Sequence, residues 1–126
     1  MSSLPSLTEL RLRTRSRLLE VAFDDGSRHE LPAEYLRVHS PSAEVQGHGP
    51  SQAQLVSGKA EVGIKAVEPV GLYAVRLVFS DGHDTGLYTW KYLYELASQR
   101  EARWNAYLAK LEAAGRSRQP AAGKAG

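Results

Sequence analysis

The 126-residue chain has no cysteine. That removes disulfides, thiolate zinc fingers, cysteine-held iron–sulfur clusters and a cysteine nucleophile in one step. It also lacks any apolar run near the ~18 residues that a membrane-spanning helix needs. Its first residues, MSSLPSLTEL, show no basic stretch followed by an apolar one and do not read as a secretory signal. Aromatics make up 8% of the chain, with two Trp and two Phe. Net charge is small, at +2. These scarcities leave an ordinary globular composition, 42% hydrophobic and 24% charged, and about 125 residues can bury a core without covalent staples. The expectation is one soluble, cytoplasmic domain.

Charge is distributed unevenly. Residues 1–40 balance, residues 41–99 are slightly acidic, and residues 100–126 carry six basic side chains against two acidic ones. The basic balance thus belongs to the C-terminal end. Nucleic-acid binders interleave a basic patch with aromatic or Gly-rich readers, whereas this end fades into RSRQPAAGKAG. It reads as a solvated helix end with a disordered tail at 116–126, not as a nucleic-acid surface.

The chain echoes itself. Val21-Ala22-Phe23-Asp24-Asp25-Gly26 resembles Leu77-Val78-Phe79-Ser80-Asp81-Gly82, 56 residues on; Leu31 then matches Leu87, and Tyr35-Leu36 matches Tyr92-Leu93 after one inserted residue. Each copy reads as strand, Asp-Gly turn, strand and helix start. The simpler reading is two similar hairpins in one sheet; duplication of a unit is the alternative. Arg11, Arg13, Arg15 and Arg17 alternate, and Thr14–Arg17 reads as a hairpin turn. Val62, Ile64 and Ala66 share the face of a further strand. Ser40-Pro41 could open a short helix through Val45. From Thr89 as N-cap to Gly115 as stop, the spacing predicts a helix over about 89–114, some 37 Å long. Such a helix is about as long as the domain is wide, so its second half would overhang.

The fold expected is therefore α+β: a mostly antiparallel sheet of five to six strands built from two similar hairpins, and a long C-terminal helix. Residues 1–9 would be flexible and 10–115 one domain.

LPAEYLRVHSPSAEVQGHGPSQ, VEPVGLYAVRLVFSDGHDTGLYTW and VAFDDG together resemble the gamma-butyrobetaine hydroxylase-like N-terminal domain family over about residues 10–97. Small bacterial members of that family are stand-alone proteins without an established role. Larger relatives join the domain to an Fe(II)- and 2-oxoglutarate-dependent hydroxylase, or to P-loop ATPases tied to iron–sulfur cluster transfer. The resemblance also implies a zinc module in the hydroxylases, with three Cys and one His as ligands. Laid on this chain, the Cys positions fall on Ser40, Ser42 and Val45, after Leu36-Arg37, and the His position on His83. Neutral hydroxyls are poor zinc ligands and Val is none, so the resemblance implies the fold without the metal site.

Residue chemistry adds little catalysis. His83-Asp84 is not the His-x-Asp of an iron facial triad, since adjacent strand residues face opposite ways. Gly47–Gln52 lacks the Lys-Ser/Thr ending of a phosphate loop. His39, His48 and His83 could form a weak three-imidazole metal site; polar loop histidines are the plainer reading. The leading expectation is a non-enzymatic binding or adaptor domain without a cofactor, linked to iron or iron–sulfur proteins only by family association. Its partner surface would be the overhanging stripe of Trp104, Tyr107, Leu108 and Leu111, edged by Arg100 and Arg103. A stripe so apolar is seldom left in water, so a protein partner or a second copy would cover it.

Overall fold

The computed structural model describes residues 5–42 and 55–119. The elements run β1 (Leu7–Arg13), β2 (Leu18–Phe23), β3 (Arg28–Pro32), α1 (Ala33–Val38), β4 (Ile64–Val70), β5 (Ala74–Phe79), β6 (Leu87–Thr89), α2 (Trp90–Ser98) and α3 (Arg100–Ala113). All strand pairs are antiparallel. The α+β class and the strand count match the expectation, but the strands form two three-stranded sheets, β1-β2-β3 and β4-β5-β6, not one. Splitting six strands lets each sheet turn one apolar face toward the other and toward the helices. Leu19, Val21, Phe23 and Leu31 from the first sheet join Ile64, Val75, Leu77, Phe79 and Tyr88 from the second in one buried cluster, closed by Tyr35, Leu36, Leu93 and Leu96 from α1 and α2.

Three strands followed by a helix is the unit, and it occurs twice. The likeness extends to single hydrogen bonds. Gly26 N–H donates to Phe23 O at 3.0 Å, and Gly82 N–H to Phe79 O at 3.1 Å. Asp24 N–H reaches Ser6 O at 2.9 Å; Ser80 N–H reaches Gly63 O at 2.8 Å. Ala33 N–H donates to Arg17 O and Trp90 N–H to Tyr73 O, at 2.8 and 2.9 Å, so both helices start against the turn that opens their own sheet. Both first strands also slip register at their start, between Leu7 and Glu9 and between Ile64 and Ala66. The slip turns Val67, not Ala66, onto the same side as Ile64, which corrects the strand face read from sequence. These paired bonds and register slips make the two units alike beyond their hairpins.

The Asp-Gly signal marked real turns by a different geometry from the one it first implies. Gly26 and Gly82 have φ of +87° and +92°, and Arg17 is the sole non-glycine with positive φ among the described residues. A type I′ turn needs positive φ at both central residues. Here only the glycine is left-handed, as in a turn closed by a glycine bulge.

The helix expected over 89–114 is two helices. Thr89 caps α2 as expected, its Oγ1 accepting from Tyr92 N–H at 3.0 Å. The ladder then breaks at Gln99 (φ −109°, ψ 20°), after Ser98 Oγ has turned back onto Tyr94 O at 2.5 Å. A hydroxyl bonded to the preceding turn is a known cause of bending. The break redirects α3 onto the body: Tyr107 and Leu111 pack with Val38 in a second buried cluster, beside Leu55, Val56 and Trp104. Gly115 ends the helix with φ +68°. β1 starts at Leu7, inside the stretch read as flexible. Ser117 and Arg118 carbonyls accept from Gly58 and Ala60 N–H at 2.9 and 2.8 Å, inside the stretch read as a disordered tail.

Candidate functional site

The loop after α1 and the β5–β6 hairpin meet where the resemblance set its metal ligands. Ser40 is fully buried and His83 is 7% exposed. Ser40 Oγ and His83 Nε2 are 2.8 Å apart. Ser42 N–H donates to Ser40 Oγ at 3.2 Å, and the Ser42 and Thr85 hydroxyls share a hydrogen bond of 2.7 Å. The Gly86 backbone closes the cluster: a Cβ there would sit 2.5 Å from Ser40 Oγ. Three hydroxyls and an imidazole thus hold the two segments together by hydrogen bonds. Val45, the third of the Cys positions, lies outside the described residues, as do the rest of the helix expected from Ser40-Pro41 and the Gly47–Gln52 loop.

The outer side of the same hairpin is ionic. Asp81 accepts from His83 N–H at 3.1 Å, Arg37 Nε at 2.9 Å and Lys59 Nζ at 2.5 Å. Burial pushes its carboxyl up, but Lys59, the His83 amide and Arg37 outweigh burial and hold it at about 2. Arg37 Nη1 is buried without a hydrogen-bond partner among the described residues. The corresponding corner of the first unit keeps the amide bond to its turn Asp but has a phenol in place of the cations. There Asp25 accepts from Ser27 N–H at 2.9 Å and from the Tyr94 hydroxyl at 3.0 Å, and Phe23 meets Tyr94 edge-on with ring centroids 5.0 Å apart. Arg37 and Tyr94 occupy corresponding places, each reaching from its own helix to the other unit's turn Asp. The polar knot of Ser40, Ser42 and His83 therefore marks one unit only.

His39 and His83, the two described members of the expected three-imidazole site, make separate contacts. His39 caps α1, its Nδ1 donating to Tyr35 O at 2.9 Å. Its ring lies 4.7 Å from Tyr35 and 6.3 Å from Tyr107 by centroid. Burial lowers its pKa. His83 is engaged with Ser40, and His48 lies outside the described residues. Among the described residues no group of three or more His, Cys, Asp or Glu is placed to hold a metal ion.

The apolar stripe on the C-terminal helix is core, not overhang. Tyr107 is 5% exposed and Leu111 4%. Tyr107 donates to Val56 O at 2.6 Å, and Trp104 packs edge-on against Tyr35. Leu108 alone keeps a third of its surface in water. Arg100 donates to Glu30 O at 2.8 Å, and Arg103 lies over the Tyr92 ring. The bend at Gln99, which heptad spacing does not reveal, carries Tyr107 and Leu111 against Val38.

The apolar residues that do face water were missed. Leu72 is 79% exposed and Tyr73 71%, at the tip of the β4–β5 hairpin. Read from sequence, they open a strand over 72–80, with Tyr73 in the row of Val75, Leu77 and Phe79; the structure leaves both in the turn before β5. Trp90 fixes that tip, its Nε1 donating to Leu72 O at 3.1 Å and its amide to Tyr73 O at 2.9 Å. Beside it runs a cleft of about 520 Å³ lined by Leu7, Leu10, Leu12, Val67, Pro69 and Trp90.

The gamma-butyrobetaine hydroxylase-like, N-terminal family model matches residues 10–94. Two proteins with solution NMR structures are similar to this chain. One is 50% identical with a TM-score of 0.81, covering 94% of this chain and 93% of its own. The other is 55% identical with a TM-score of 0.80, covering 94% and 89%. A crystal structure of a protein of unknown function from Acidithiobacillus ferrooxidans, placed in the DUF971 family, is 43% identical over 73% of this chain and 92% of its own, with a TM-score of 0.62. No curated protein matches.

Proposed function

The chain belongs to the gamma-butyrobetaine hydroxylase-like, N-terminal family, and from that premise we propose that it is a non-catalytic binding domain that engages a protein partner through the β4–β5 hairpin. One observation carries the reading. Leu72 and Tyr73 stand in water, while Trp90 bonds the carbonyls of both. Exposed apolar side chains on a fixed turn lose little conformational freedom on binding, and that freedom is a principal cost of association. The apolar cleft of Leu7, Leu10, Leu12 and Trp90 extends the surface on one side. By contrast, Ser40 and His83 are bonded to each other inside the protein, an arrangement that ties the hairpin to α1.

The test is affinity capture from the native cell with the wild-type chain and with a Leu72→Ser/Tyr73→Ser variant. Both side chains are exposed, so the variant should melt within a few degrees of wild type. Loss of a wild-type partner from the variant supports the proposal. Recovery of the same partners by both proteins would place the interaction elsewhere.

A further inference from the structure

Glu34 is a carboxylate that has been taken out of water, with a side chain only 8% exposed. Its partner comes from the far end of the chain. Arg118 Nε donates to one Glu34 oxygen at 2.8 Å and Nη2 to the other at 2.7 Å. The same guanidinium lies over the Trp104 ring, 5.4 Å from its centroid. A paired fork on a carboxylate, with an indole face beneath, is the arrangement that selects guanidinium over a point-like ammonium.

The pocket is larger than its occupant. A cavity of about 460 Å³ opens beside Arg118 and is lined by Tyr35, Arg100, Glu101 and Trp104 as well as by the ion pair. Arg118 itself keeps 43% of its side chain exposed. It sits on a segment, residues 116–119, that forms neither helix nor strand. Three bonds to the opposing segment hold it there: Gly58 to Ser117 O, Ala60 to Arg118 O and Arg116 to Leu55 O. The walls, Glu34 on α1 and Trp104 on α3, belong to packed helices. The receptor half is thus rigid, and the ligand half is a short terminal strap.

We propose that Glu34, Trp104 and the adjoining cavity form an arginine-binding pocket that Arg118 fills in cis, and that an arginine-bearing segment of another protein takes it when the strap is displaced. This pocket is separate from the Leu72–Tyr73 tip, and either surface can fail without the other. A buried carboxylate stripped of its cation is strongly disfavoured. Strap and partner therefore compete for one site, and a partner that lacks arginine cannot replace the strap.

The experiment uses the full-length chain with Arg118→Ala and the probe acetyl-Ser-Arg-Gln-Pro-amide, followed by the Trp104 indole N–H resonance. The proposal expects saturable binding to the variant, at least about tenfold tighter than to wild type and about tenfold tighter than the lysine analogue of the probe. Adding Glu34→Gln should abolish it. Absence of binding to R118A, equal binding of the lysine peptide, or binding that survives E34Q overturns the proposal. If R118A does not fold, Arg118→Lys takes its place, because it keeps the charge without the fork. The arginine peptide must then shift the Trp104 resonance and the lysine peptide must not.

Discussion

Tyr35 and Tyr92 make the same hydrogen bond in opposite directions. The Tyr35 hydroxyl on α1 donates to Leu96 O on α2 at 2.6 Å, and the Tyr92 hydroxyl on α2 donates to His39 O at the end of α1 at 2.5 Å. Residues 39 and 96 have the same spacing as 35 and 92, so each helix is bound by the other's equivalent group. Tyr35 is 1% exposed and Tyr92 is only partly buried. Tyr35→Phe should therefore cost about 1–2 kcal/mol and Tyr92→Phe less, because an unmade bond costs more where water cannot replace it. Urea unfolding of both variants checks the order. A larger loss for Tyr92→Phe would contradict the burial argument.

Gly86 is expected to tolerate no side chain. A Cβ would stand 2.5 Å from Ser40 Oγ, 3.2 Å from a Tyr88 ring carbon and 3.3 Å from Pro41 Cδ. Ser40 cannot retreat without losing His83. Gly86→Ala should cost about 1–3 kcal/mol through overpacking, whereas Gly71→Ala, with open space around it, should show only the smaller cost of its positive φ. Equal losses at the two positions would mean that the Ser40 cluster yields more readily than its geometry implies.

Truncation after Ser98 should destabilise the protein severely. It removes Tyr107 and Leu111 from the cluster with Val38. Two such side chains at about 2 kcal/mol each correspond to a fall in melting temperature of roughly 10–20 °C for a domain of this size. It also takes Arg118 from Glu34. Circular dichroism melts decide the matter. An unchanged melting temperature would return α3 to the role of an overhanging contact surface.

Stability should fall on the alkaline side. Burial pushes the phenols of Tyr35 and Tyr107 up to about 12 and raises Tyr88 as well. The native state therefore keeps protons that the unfolded chain releases from pH 10 upward. The stabilisation is complete below pH 10 and is lost as pH rises toward 12, at up to roughly 1.4 kcal/mol per pH unit for each phenol. Urea midpoints at pH 9, 10 and 11 should drop progressively, and less so for Tyr107→Phe. A flat profile would show that the phenols ionise in place without unfolding.

Sequence by itself determined what depends on neighbours along the chain. Alternation along their strands sets Phe23 with Leu19 and Val21, and Phe79 with Val75 and Leu77, on inward rows, and both Phe are core, 2% and 0% exposed. Asp-Gly marked both turns and Thr89 capped its helix, while the echo of Tyr35-Leu36 in Tyr92-Leu93 left two similar hairpins as the simpler reading. These are local preferences of backbone and side chain, and they act before the chain is compact. Tertiary structure decided what depends on distant partners. Whether six strands close into one sheet or two is set by which apolar faces can be buried together. The bend at Gln99 lies within a sequence whose period is helical throughout, and it is favoured because it buries Tyr107 and Leu111. Nothing near Arg118 in the chain marks it as the partner of Glu34, 84 residues away. That pairing exists because folding buries a carboxylate on α1 and delivers a cation to neutralise it.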